Sequence, residues 1–281
     1  MFPSYATLTE KIWLTFFYAL CIAVFIFLAL PILIIIPLSF NAQPYFTFTP
    51  EMLRLDPAGF SLRWYKEIFN NAAWLASIKN TLIIGSISTV LATILGTMAA
   101  LGLSRKEMPM RETLMALLIS PMIVPVIISA AGMYFFFAKL SLNETYLGVI
   151  LAHTVLGTPF VVITVTSTLV GFDHSLIKAS LSLGASPIRT FFSVVLPSIR
   201  PGVISGGLFA LATSFDEVVV VMFVAGVEQR TIPRQMWSGL REQISPTILA
   251  VATLLIVMSV LLLATLELMR RRSEKAKGVI A

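Results

Sequence analysis

Six apolar runs, each long enough to cross a bilayer as a helix, constrain this chain more than any motif in it. They fall at roughly 13–39, 76–103, 113–138, 146–171, 203–225 and 247–268 of the 281 residues. The hydrocarbon core requires about 20 apolar residues of helix. Unbroken runs of that length argue against barrel strands, whose apolar residues alternate with polar ones. Only 12% of the residues are charged, against about 25% in soluble domains. The expected fold class is therefore all-α, a polytopic membrane protein with six transmembrane helices. The first run exceeds the roughly 7 to 15 residues of a signal-peptide core, and no small-residue cleavage site follows it, so it reads as a retained helix.

Six spans place both termini on one side. Lys11, then Arg105, Lys106 and Arg111, then Lys178, Arg189 and Arg200, then Arg270, Arg271, Arg272, Lys275 and Lys277 share a face, twelve of the 20 Lys and Arg residues. That excess makes the face, and both termini, cytoplasmic. The other eight, including Arg230, Arg234 and Arg241, fall outside, so the bias is modest. The net charge of +6 thus has a topological explanation and needs no nucleic acid as partner. Cys21 is the single cysteine and lies within the first run, which excludes a disulfide framework and a cysteine-based metal site.

Between the runs, the longest outer segment is 41–75. Pro44, Pro50 and Pro57 argue against regular structure in its first half, whereas "FSLRWYKEIFNNAAW" reads as helical, with Trp64, Tyr65 and Trp74 suited either to the membrane interface or to a partner. Small residues that let helices approach recur in the second run (Ala92, Gly96, Ala100) and the fifth (Gly202, Gly206). Pro121, Pro125 and Pro159 predict kinks in the third and fourth. Beyond the fifth, Ile232, Met236, Leu240 and Ile244 recur every four residues, which predicts a surface helix with its arginines in water. Ser245 and Pro246 then read as the cap and first turn of the sixth span.

The segment "KASLSLGASPIRTFFSVVLPSIRPG", 178–202, departs from this apolar pattern on the cytoplasmic side. Ser175 to Leu183 predicts two turns of helix closed by Gly184 in a left-handed conformation. Ser186 then caps a second helix with Pro187 in its first turn, an apolar stripe of Ile188, Phe191, Phe192 and Val195, and Pro197 as its limit. Pattern alone leaves two covers for that stripe, the ends of the chain's own spans or another protein.

The segment resembles the cytoplasmic loop of ABC-importer permease subunits, usually Glu-Ala-Ala, three residues, Gly, nine residues, Ile, one residue, Leu-Pro. Ala179, Gly184 and Leu196-Pro197 match that pattern, Val194 stands in the isoleucine place, and Lys178 and Ser180 replace the glutamate and the second alanine. Family members use this loop as a coupling element docked on an ATPase. The resemblance therefore implies that Lys178, Ala179, Ser180, Gly184, Ala185, Ser186, Pro187, Phe191, Leu196 and Pro197 form an ATPase-coupling helix pair between the fourth and fifth spans. It covers 76–268 as a permease domain, with an N-terminal transmembrane helix (1–40), a periplasmic loop (41–75) and a basic cytoplasmic tail (269–281) around it. "FSLRWYKEIF", "SFDEVVVVMFVAG" and "TIPRQMWSGLREQISPT" look like the second permease subunit of spermidine/putrescine importers, so a polyamine is the implied solute, with another small solute as the alternative because related importers carry variants of these phrases. The implied partners are a homologous second permease, two ATPase copies, a periplasmic solute-binding protein and membrane lipid. No G-x-x-x-x-G-K-[ST] loop is present, so ATP binding falls to another chain, and this chain needs no cofactor.

Asp216 and Glu217 fall within the fifth run. Each acid there costs roughly 2.5 to 3.5 kcal/mol on the insertion scale before compensation. Two readings fit: a cation-attracting substrate pathway, or a structural ion pair or capping pair at a helix break. Lys79, Asn80 and His153 are further candidates, His153 more readily as hydrogen-bonded packing than as a proton relay. A stand-alone secondary transporter would have to draw its ion coupling from Asp216 and Glu217, and an intramembrane enzyme would have only these acids and His153. No H-E-x-x-H or G-x-S-x-G motif supports the latter.

Overall fold

The apolar runs form helices that begin at polar caps. The computed structural model describes residues 7–105, 107–242 and 245–276. Lys106, Ile244 and Lys277, named above for charge and periodicity, lie outside the described residues, as does the end of the tail. Helix α1 (Leu8–Leu38) starts in a capping box in which Thr7 Oγ1 accepts from the Glu10 amide and Glu10 Oε2 from the Thr7 amide. It leaves its apolar side chains exposed, as a lipid-facing span must. The chain divides into two compact units, Met1–Asn70 with Glu242–Val257, and Asn71–Arg241 with Met258–Ala281.

In the first unit, the segment after α1 is more regular than its prolines suggest. Pro50 and Pro57 stand at the first turn of α2 (Pro50–Leu53) and of a 3₁₀ turn (Pro57–Gly59), where their missing amides cost nothing. Asn41, fully buried, organises the segment. Its Nδ2 donates to the carbonyls of Tyr45 and Thr47 (3.0 and 2.9 Å), and its own carbonyl accepts from Trp64 Nε1 (2.7 Å). Trp64 on α3 (Arg63–Asn70) is thus a core residue rather than an interfacial anchor, with the Arg63 guanidinium over its ring. Tyr65 shares a 2.7 Å hydrogen bond with Ser39. At the other end of the unit, Ser245 Oγ accepts from the Thr247 amide where α13 (Thr247–Ala276) begins, and Thr247 Oγ1 donates to Glu67.

The second unit is built on three long helices. They are α4 (Ala72–Leu103), α7 (Tyr146–Val170) and α10 (Leu196–Asp216), packed mutually. The small-residue stripes meet here: Ala92, Gly96, Ala100, Gly202 and Gly206 are all buried. Hydrocarbon surrounds such helices, so cohesion comes from close packing and hydrogen bonds rather than from water exclusion. One apolar cluster joins Ala92, Ala100, Val161, Val165, Ile199 and Ala210.

The third run is broken more sharply than a proline kink suggests. It forms α5 (Arg111–Ile123) and α6 (Val126–Lys139), bent by 103° at a break formed by Val124, in extended conformation, and Pro125. Among the described residues, five helices are long and apolar enough to span, or six with this bent pair counted as one. Between α7 and α10 lie α8 (Ser175–Ser182) and α9 (Pro187–Thr190), and after α10 come α11 (Val219–Val224) and α12 (Ile232–Glu242).

Candidate functional site

The helix pair α8 and α9 has the turn its sequence predicts. The Ser175 hydroxyl and amide both donate to Asp173 at the entrance (2.7 and 2.8 Å), which holds that carboxyl below its ordinary range. At the exit, the Gly184 amide donates to the Leu181 carbonyl (3.0 Å) and the Ala185 amide to the Ser180 carbonyl (3.2 Å). This paired closure places Gly184 at φ 84°, a conformation that costs other residues a Cβ clash. Ser186 Oγ accepts from the Arg189 amide, with Pro187 in the first turn. Ser180 Oγ and Thr190 Oγ1, 3.0 Å apart, tie the two helices together.

Two expectations for this pair need correction. Pro197 does not stop the second helix. A π turn at Phe191–Val195 joins α9 to α10, and Pro197 sits near the start of that longer helix, so Pro187–Asp216 reads as one 30-residue rod. Nor does the apolar stripe share one cover. Phe191 and Val195 form one i, i+4 row and turn inward with Leu101, Phe172 and Ile177. Ile188 and Phe192 form the adjacent row and stay 73% and 61% exposed, beside Leu183 at 89%. A helix lying along the surface buries one edge of a stripe that is wider than the contact. Of the other coupling candidates, Lys178, Ala179 and Pro197 are exposed and Leu196 is half-buried.

At the opposite end of the rod, the acidic pair lies at a break between two helices within the fifth run. α10 stops at Asp216, Glu217 turns to extended backbone, and α11 begins after Val218. Glu217 Oε1 accepts from the Val220 amide (2.8 Å), so this carboxylate caps α11. Asp216 is exposed. The body of α11 is fully buried at Val220, Val221 and Val224, packed with Ala130, Phe137, Val149 and Ile150.

The loop that follows is pinned by side chains from three helices. Arg234 Nη1 donates to the Ala225 and Gly226 carbonyls (2.7 and 2.8 Å), just past the end of α11. Arg234 therefore turns inward on α12, whereas Arg241 is exposed as expected. Asn80 Nδ2 donates to the Glu228 and Arg230 carbonyls (2.8 and 2.9 Å), and the Tyr146 hydroxyl donates to Asn80 Oδ1 (2.8 Å). Thr81 Oγ1 accepts from the Ile232 amide. Neighbouring Lys79 is exposed. His153 is buried and its Nδ1 shares a 2.7 Å hydrogen bond with Ser214 Oγ. Sequence reasoning passed over Ser214, Tyr146 and Thr81. Proximity to the acidic pair was the one available signal, and it pointed to Ser214 alone.

Residues 92–275 match the family described as binding-protein-dependent transport system inner membrane component. The spermidine/putrescine transport system permease protein PotC of Haemophilus influenzae is 31% identical over 255 residues, 91% of this chain and 96% of the relative. The putrescine transport system permease protein PotI of Escherichia coli is 32% identical over 239 residues, 83% of this chain and 82% of the relative. In fold, a chain of a bacterial ABC transporter that imports the acidic polysaccharide alginate superposes with a TM-score of 0.70 at 15% identity, over 96% of this chain and 99% of that one. With a family match over most of the sequence and relatives of about 30% identity along nearly its whole length, this chain belongs to the family of binding-protein-dependent transport system inner membrane components.

Proposed function

We propose that this chain is one permease subunit of an ATP-driven polyamine importer of the inner membrane. ATP hydrolysis takes place on a separate ATPase, present in two copies, and a periplasmic binding protein delivers the solute. A second, homologous permease supplies the other half of the path. The observation that carries this reading is the rod Pro187–Asp216, which links an exposed apolar helix pair at one end to an acidic break at the other. A rigid element of that kind transmits a rigid-body displacement from an ATPase to the path. Relatives that carry spermidine and putrescine in their names support the solute class. With Glu217 engaged in capping, Asp216 is the carboxylate offered to a polycation.

Both termini are assigned to the cytoplasm, with 41–75 outside, 76–268 as the permease domain and 269–281 as a cytoplasmic tail. The charge bias supports this topology. A cysteine introduced as Ser273→Cys in a Cys21→Ala background should resist an impermeant thiol reagent added to intact cells, and efficient labelling would reverse the topology. For the activity, the complex with its ATPase and binding protein, reconstituted in vesicles, should take up labelled spermidine or putrescine only when ATP is supplied on the ATPase side. Uptake driven by an ion gradient without ATP would overturn the reading in favour of a stand-alone transporter.

A further inference from the structure

The last turn of α10 presents Ser214, Phe215 and Asp216 in succession, and the first two are held in place. Ser214 is buried, shares the 2.7 Å hydrogen bond with His153 Nδ1 on α7, and accepts a longer one from Ser88 on α4 (3.4 Å). The Phe215 ring lies on Gly85 of α4, so closely that a Cβ at Gly85 would stand 2.8 Å from a ring carbon. Successive side chains on a helix are turned by about 100°. With Ser214 facing α7 and α4, and Phe215 facing α4, Asp216 is turned about 200° from Ser214 and aimed away from both neighbours. Its exposure agrees.

His153 is an unfavourable choice for packing alone. It is 3% exposed, and its Nε2 has no hydrogen-bond partner among the described residues. A buried polar atom without a partner is destabilising, and an apolar side chain of similar size avoids that penalty. What imidazole provides here, and leucine does not, is the bond from Nδ1 to Ser214. We propose that His153 is a positioning residue whose bond to Ser214 fixes the rotation of the last turn of α10 and so aims the Asp216 carboxylate into the aqueous path, where it meets the ammonium groups of a cationic solute. The inference rests on the reading of Asp216 as a path residue.

The test uses the complete importer in membranes, carrying Cys21→Ala and Asp216→Cys, and measures how fast a cationic methanethiosulfonate reagent labels position 216. His153→Leu and Ser214→Ala should each slow labelling about three- to tenfold, the range that one buried hydrogen bond sets. His153→Asn, whose amide stands two bonds from Cβ as Nδ1 does, should label at the parent rate. The double variant should be no slower than either single one, because both remove the same bond. Equal rates in the parent, His153→Leu and Ser214→Ala would overturn the positioning role while leaving Asp216 in the path. An unreactive parent would instead overturn the path reading, and the proposal with it. Should His153→Leu fail to assemble, Ser214→Ala removes the same bond with little change in volume and decides the question by the same rates. In the importer that retains Asp216, His153→Leu should raise the KM for the polyamine more than it lowers the maximal rate per assembled complex. A fall in assembled complex with KM unchanged would mark a purely structural residue.

Discussion

The rod Pro187–Asp216 has unlike ends, and they are finished in opposite ways. At its N-terminal end the backbone is closed tightly, through the Gly184 turn, the Ser186 cap and the Ser180–Thr190 bond, yet large apolar side chains remain in the open. At its C-terminal end the backbone is broken, yet side chains of α4, α7 and α12 hold the segments on either side of the break and the valines of α11 are buried. The first end is closed within itself and leaves a row of apolar side chains uncovered; the second is held by its neighbours. Such a division suits a helix that takes a push from another chain at one end and presents a single carboxylate at the other.

The most severe way to break the comparison is Gly184→Pro. Proline cannot adopt φ 84° and has no amide to donate to Leu181, so the turn between α8 and α9 is lost. ATPase co-purification or coupled uptake should become undetectable, and normal values for both would refute the role of the turn. Next in size is the pair Ile188→Ser with Phe192→Ser. Burying either side chain at an interface is worth about 1.5 to 3 kcal/mol, so ATPase affinity should fall by roughly 10- to 100-fold once interface losses are allowed for. Permease thermal stability should hold within about 0.5 kcal/mol, as for exposed sites generally. Loss of stability with unchanged ATPase binding would show that the row is covered by this chain after all.

The opposite end is sharpened by separating the two acids. Asp216→Asn removes the charge offered to a polycation and should lower uptake per assembled complex about tenfold, in line with one charge-assisted hydrogen bond. Glu217→Gln keeps an oxygen able to accept from Val220 and should leave uptake within about twofold, since a neutral acceptor still caps. The reverse outcome would exchange the roles of the two acids.

These roles divide along what local sequence can and cannot say. Caps and turns were legible because each is settled within a few residues: Ser186 with Arg189, Gly184 with Leu181, Ser245 with Thr247. The proline positions gave the break of the third run but not its 103°, because direction depends on what α5 and α6 each pack against. Periodicity placed Arg234 in water, since it does not register that the carbonyls just past α11 return to meet it. The His153–Ser214 bond spans 61 positions and Asn80–Glu228 spans 148, so neither leaves a local pattern. Exposure of the Ile188 and Phe192 row was half legible, in that the stripe was visible and its division was not.

The smallest expected effect comes from the polar tie within the coupling pair. Ser180 occupies a position where related loops carry alanine, and Ser180→Ala deletes its bond to Thr190. Thr190 is 2% exposed, and a buried hydroxyl left unpaired costs about 1 to 3 kcal/mol. A threonine in a helix has a second option, however, which is to bond the carbonyl of the residue four positions earlier, here Ser186. The loss should therefore stay near 1 kcal/mol or below, read as a small drop in thermal stability with coupled uptake within about twofold. Replacing both partners, Ser180→Ala with Thr190→Val, should cost no more than the single change, because no donor is then stranded. A double variant clearly worse than Ser180→Ala alone would mean that Thr190 has a task besides this tie. A single variant that uncouples hydrolysis from uptake would mean that the pair owes its rigidity to this bond more than to the Gly184 turn, and the order of effects at this end would be inverted.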